Sequence, residues 1–183
     1  MLFNSFNYLL FFPAVCIMYY IIPHRVRWFF LLIASYFFYM NWEPVYALLI
    51  GLSTVITYLC AYQLDLVKKK RTRKVLLISS VLLNFSILFL FKYYNFVTDS
   101  VFELLTNFGL RVDFPEFKLL LPVGISFYTF QAVGYSIDVY HKKLKHEKHF
   151  GKYALFVSFF PQLVAGPIER ATNLLPQFSG KVQ

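Results

Sequence analysis

Charge is scarce in this chain of 183 residues: 15% of its side chains are charged, where a soluble domain carries about 25%. The scarcity is uneven. Residues 1–23, 44–64 and 75–91 contain no Asp, Glu, Lys or Arg at all. A helix of about 20 apolar residues crosses a hydrocarbon core about 30 Å thick, and three such runs within 100 residues exclude a water-soluble globular fold. Cysteine is nearly absent. Cys16 and Cys60 both lie inside apolar runs without CxxC-type spacing, which excludes a disulfide framework and a thiolate metal site. No phosphate-cradling glycine loop and no Ser/His/Asp arrangement can be read, so composition and spacing alone do not reveal an enzyme. The first apolar run has no Lys or Arg before it and no small-residue cleavage site after it. It reads as a retained helix rather than a removed signal peptide.

What fills the chain instead is apolar and aromatic: 58% hydrophobic and 21% aromatic residues. The pattern predicts an all-α, polytopic integral membrane protein with about five transmembrane helices and a re-entrant or broken sixth segment. The spans fall at residues 5–22 (with Pro13 as a kink), 28–42, 44–64, 75–91 and 119–140, and the sixth segment at 153–164. Trp28 and Trp42 bracket the second, as interfacial rings do. Pro44 opens the third, where its missing N–H costs nothing. Between the fourth and fifth, Ser100-x-x-Glu103 has capping-box spacing. The apolar residues from Val101 to Phe108, with Gly109 as a stop, predict a separate short helix lying in the outer interface.

The formal net charge of +9 would suit nucleic acid, but the basic residues stand in short loops between apolar runs. Thirteen Lys and Arg fall in the loops after the first, third and fifth spans, against Lys92, Arg111 and Lys118 in the alternate loops. By the positive-inside rule the basic loops face the cytoplasm and the N-terminus lies outside. The partner is therefore a lipid bilayer and not nucleic acid. His141, His146 and His149 stand among lysines, which predicts a solvated basic loop rather than a metal site; His24 has no carboxylate nearby in sequence.

Polar residues inside the fifth and sixth segments carry the chemical interest. Gly124, Tyr128, Gln131, Tyr135 and Asp138 recur at spacings of 4, 3, 4 and 3, one face of a helix. Such a face lines a bundle interior or an aqueous cavity. Two readings stay open: a tunnel wall, or helix–helix hydrogen bonding with Asp138 at the cytoplasmic interface. In the sixth segment Pro161, Gly166 and Pro167 interrupt an apolar stretch that also holds Gln162, Glu169 and Arg170. Irregular backbone at membrane depth needs protein or a water-filled cavity to satisfy it. A helix starting at Pro167 and running to Leu175 would point its N–H groups at the break; the alternative is a structural elbow with an interfacial Glu169–Arg170 ion pair.

The stretches LPVGISFYTFQAVGYSIDVY (residues 121–140) and FFPQLVAGPIER (residues 159–170) resemble the membrane-bound O-acyltransferase family. The opening MLFNSFNYLLFFPAV and the YFFYMNWEP stretch fit the same branch, that of the alginate O-acetyltransferase membrane subunit and related polysaccharide O-acetyltransferases. The resemblance covers essentially all of the chain. It implies an enzyme that carries an acyl group, acetyl in this branch, from a cytoplasmic donor such as acetyl-CoA to a hydroxyl of a cell-surface polysaccharide, in a bacterial inner membrane. It implies no bound cofactor, and an extracytoplasmic acetyl-transfer subunit as a candidate partner. A membrane-embedded histidine is expected as general base, within a later segment of such proteins. None of the four histidines here occupies that position, so the chain, residues 1–183, reads as the N-terminal half of one membrane domain, with no catalytic residue of its own. By family pattern, Gln131, Gln162, Gly166, Pro167, Glu169 and Arg170 shape the tunnel or brace its wall, with Tyr128, Tyr135 and Asp138 on the same polar face. A non-catalytic membrane scaffold and a small transporter are the competing readings.

Overall fold

The computed structural model describes residues 5–41, 43–107, 124–163 and 166–180. These residues form eight α-helices and, among themselves, no strand: α1 (Phe6–Ile21), α2 (His24–Met40), α3 (Pro44–Leu66), α4 (Lys70–Asn107), α5 (Ile125–Tyr140), α6 (Phe150–Ser158), α7 (Phe160–Leu163) and α8 (Ala171–Ser179). Ser5 caps α1 by accepting the Tyr8 N–H at 3.3 Å, and α1 runs on through Pro13. Pro44 opens α3 as the sequence predicts. Phe108 and Gly109, and residues 119–123 of the fifth segment, lie outside the described residues, as does Trp42.

α3 and α5 pack on each other at the centre. α4 lies against both, while α2 and α6 pack together on the side of α3. Polar side chains tie these helices where their apolar faces meet. Ser53 Oγ donates to Asn84 Oδ1 at 2.5 Å between α3 and α4. The Tyr153 hydroxyl donates to Thr57 Oγ1 at 2.7 Å between α6 and α3. Small hydroxyl and amide residues are a common link between helices in a medium that offers no competing water.

Two helices, α3 and α4, are long and apolar enough to cross a bilayer. Of the most apolar residues in the Lys70–Tyr94 stretch of α4 only 17% are buried, which is not how a core helix of a soluble protein sits. Its Leu82, Leu83, Phe89 and Leu90 are half or more exposed, like Leu48 on α3 and Leu9 on α1. Exposed large apolar side chains in this number belong against lipid or another protein, not water.

The separate interfacial helix is corrected: α4 continues without interruption to Asn107. Ser100 does not leave the helix to cap a new one; its Oγ donates back to the Phe96 carbonyl at 2.8 Å. At about 1.5 Å per residue the 38 residues of α4 reach about 57 Å, well past a hydrocarbon core.

The candidate site: a braced break between α5, α6 and α7

The sixth segment is broken earlier than its prolines suggest. α6 ends at Ser158, Phe159 takes a non-helical conformation (φ −58°, ψ 106°), and α7 restarts at Phe160. A continuous helix would join the Phe160 N–H to the Phe156 carbonyl. Here each group finds a side chain from another helix. The Phe160 N–H donates to Ser35 Oγ on α2 at 3.3 Å, and the Phe156 carbonyl accepts Gln131 Nε2 from α5 at 2.8 Å. Buried backbone groups must be paired somewhere, and these two residues meet both halves of the missing bond.

The same glutamine continues the network. Gln131 Nε2 also approaches Gln162 Oε1 at 3.4 Å, and Gln162 Nε2 donates to the Pro167 carbonyl at 2.8 Å. That last bond explains the second correction. The helix predicted to start at Pro167 begins at Ala171 instead, with Arg170 as its extended N-cap. In a helix the Pro167 carbonyl would accept the Ala171 N–H; Gln162 holds it in an elbow. Gly166 fits this elbow because a Cβ there would stand 2.8 Å from Gln162 Cα. Glu169 accepts Asn173 Nδ2 at 3.4 Å, and among the described residues it forms no ion pair with Arg170.

The polar face of α5 divides into three parts. At its start Gly124 is left-handed (φ 79°, ψ 0°) and is the N-cap. Tyr128 is fully buried, and its hydroxyl has no hydrogen-bond partner among the described residues. Gln131 holds the break. Beyond it, the Tyr135 ring packs tilted by 36° against Tyr153 with centroids 4.4 Å apart, and its hydroxyl accepts the Glu147 N–H at 2.7 Å. Asp138 pairs with Lys143 at 3.8 Å. The structure therefore joins Gln131, Gln162, Gly166 and Pro167 in one network, while Tyr135 and Asp138 hold the loop after α5, and Glu169 and Arg170 lie past the elbow.

Three other residues do what sequence reading did not assign to them. Ser35, one hydroxyl in an aromatic helix, caps the break. Arg73, one of six basic residues in a loop run, is buried and donates to the carbonyls of Leu64 at the end of α3 and of Tyr140 at the end of α5, the latter at 2.8 Å. His146 is a latch rather than a freely solvated loop residue: its backbone N–H and Nδ1 meet Asp65 Oδ2 at 3.1 and 2.6 Å. Among the described residues no group of His, Cys, Asp and Glu is arranged to hold a metal ion.

The chain is similar in sequence to known proteins along most of its length. The chain is 39% identical, over 98% of its length, to the probable alginate O-acetylase of Pseudomonas aeruginosa, and covers 35% of that protein. It is 36% identical over 98% of its length to the probable alginate O-acetylase of Azotobacter vinelandii, and 34% identical over 82% to the peptidoglycan O-acetyltransferase of Helicobacter pylori. The chain spans about a third of the length of the curated relatives it matches, 35, 36 and 32% in these three. No family model matches it, and no solved structure matches it significantly. The likeness extends over nearly the whole chain, both motifs included, and the chain belongs to the membrane-bound O-acyltransferase family.

Proposed function

We propose that the chain is part of a membrane-bound enzyme that O-acetylates a cell-surface polysaccharide. One observation carries this reading. Relatives matched along most of the chain are named for acetylating two different polymers, alginate and peptidoglycan, and what the two names share is acetyl transfer to a polysaccharide hydroxyl. The donor is a cytoplasmic acetyl thioester such as acetyl-CoA. The sugar hydroxyl gives its proton to a general base and forms an ester to the acetyl carbonyl, the acyl C–S bond breaks, and the departing thiolate takes up the proton to leave as the free thiol. That base is a membrane-embedded histidine outside these residues, and no residue of this chain is given a catalytic role.

Within that enzyme the chain supplies about five spanning helices, N-terminus outside, and the broken sixth segment, in a bacterial inner membrane. The elbow is a polar feature at membrane depth, and one turn before Gln131 on α5 stands the Tyr128 hydroxyl, which has no hydrogen-bond partner among the described residues. Such a feature suits the wall of an acyl passage, where backbone polarity is met by side chains rather than lipid. An extracytoplasmic acetyl-transfer subunit is the partner that would receive or place the acetyl group.

Inverted membrane vesicles carrying the intact protein and its polysaccharide acceptor, given acetyl-CoA labelled in the acetyl group, test this. Label is expected to enter the polymer as base-labile acetate when donor is supplied at the exposed cytoplasmic face. Absence of transfer with the donor on either side would sink the reading, and co-purification of a partner without transfer would favour a scaffold.

A further inference from the structure

The end of α3, the start of α4 and the end of α5 enclose an open cleft of about 900 Å³. Lys68, Lys70, Arg73, Lys142 and Lys145 line it, against one carboxylate, Asp65. That carboxylate is already engaged by His146, so the cleft holds a net charge of +4 from these six residues. Arg73 is committed to helix-end carbonyls. The four lysines are exposed and form no ion pair among the described residues. Like charges held around one cavity repel each other unless an anion sits between them.

Lys142 adds a second observation. The end of α5 is a Schellman turn, in which the Lys143 N–H donates to the Asp138 carbonyl at 2.9 Å and the Lys142 N–H to the Val139 carbonyl at 3.1 Å. Its left-handed position usually belongs to glycine, yet Lys142 occupies it with φ 59°. A bulky side chain kept in a conformation that glycine adopts freely points to use of that side chain. The cleft also lies where the apolar runs of α3 and α5 end, on the side of the basic loops, and Val67, Tyr140 and Leu144 give it an apolar flank.

We propose that this cleft is a phosphate site at the cytoplasmic headgroup level, occupied by the phosphodiester of an anionic phospholipid. Basic pockets between spanning helices on that side recognise such headgroups, and the apolar flank accommodates the start of the acyl chains. A soluble pyrophosphate offers the same oxygens, so the test separates the two sources. The inference rests on the membrane embedding and orientation proposed above, not on acyl transfer.

The intact protein is reconstituted in phosphatidylcholine nanodiscs with graded cardiolipin, and retained lipid is measured by native mass spectrometry. Parallel cardiolipin-free discs are titrated with inorganic pyrophosphate. Saturable cardiolipin retention is expected, weakened about five-fold by each of Lys68→Gln and Lys145→Gln and unaffected by Lys92→Gln on the far part of α4. Lys142→Gly is expected to weaken retention while raising the thermal midpoint, an outcome that a purely structural lysine would not give. Pyrophosphate binding with the same variant pattern, and no cardiolipin preference, keeps the phosphate site and assigns it to a soluble ligand. Binding of neither probe, or equal weakening by Lys92→Gln, overturns the proposal.

Discussion

Replacing Gly124 by alanine is expected to give the largest drop in thermal midpoint of any single change considered for the detergent-extracted protein. Gly124 has φ 79°, and a Cβ there would stand 2.6 Å from the Tyr39 hydroxyl oxygen and 2.7 Å from the Leu163 carbonyl oxygen. The tyrosine could swing away, but the carbonyl belongs to the backbone of α7 and cannot. The left-handed conformation costs an L-residue about 1–2 kcal/mol, and forcing apart a packed contact costs about 1–3 kcal/mol more. Against a total stability of about 5–15 kcal/mol, a loss of about 3 kcal/mol empties the folded population under mild challenge. Gly134 supplies the control: it lies within α5, and nothing lies within 4 Å of its Cβ position. Gly134→Ala is expected to be neutral or to stabilise by up to about 1 kcal/mol. Thermal midpoints read by size-exclusion chromatography after heating distinguish the two, and a Gly124→Ala midpoint equal to the parent's would refute the packing described for α2, α5 and α7.

Arg73→Met is expected to be the next most damaging change, at about 3 kcal/mol, because hydrogen bonds to a charged group contribute about 1.5–3 kcal/mol each. The guanidinium joins the last carbonyls of α3 and α5 to the first turn of α4 and lies 5.6 Å over the Tyr140 ring. Methionine preserves most of the length but leaves those carbonyls without their donor. Arg73→Lys is expected to recover only part of the loss, since an ammonium cannot reproduce the planar fork. Lys74→Met, at an exposed neighbour, is the matched control. Faster trypsin cleavage after the α3–α4 junction, together with a lowered thermal midpoint, is the expected signature. Equal resistance of Arg73→Met and Lys74→Met would show that the clamp contributes nothing.

The parts of this structure legible in the sequence are those set by local chemistry. Pro44 and the first charged residue after it, Asp65, nearly delimit α3, because a proline at N1 and an uncharged run are both local facts. The spacing of Tyr128, Gln131 and Tyr135 marked one face of α5, and all three side chains are buried. Features decided by distant partners were not legible. Pro161 announces a break in the sixth segment but not its place at Phe159; it is stable there because Ser35, 125 residues from Phe160 in sequence, and Gln131, 25 residues from Phe156, accept and donate where the helix does not. Ser100-x-x-Glu103 carries a capping pattern, yet a capping residue acts only if the backbone leaves the helix there, and Ser100 returns its hydroxyl to Phe96. Arg73 resembles its five basic neighbours until the ends of α3 and α5 converge on it. The latch between His146 and Asp65 spans 81 residues and has no local signature.

Deleting the gene in its host and measuring base-released acetate on the envelope polysaccharides tests the proposed activity most directly. Ester-linked acetate is expected to fall to background in one polymer, to return when the intact gene is restored, and to return only in part with the Gly124→Ala form. Unchanged acetate in every polymer after deletion would contradict O-acetylation as the function of this protein.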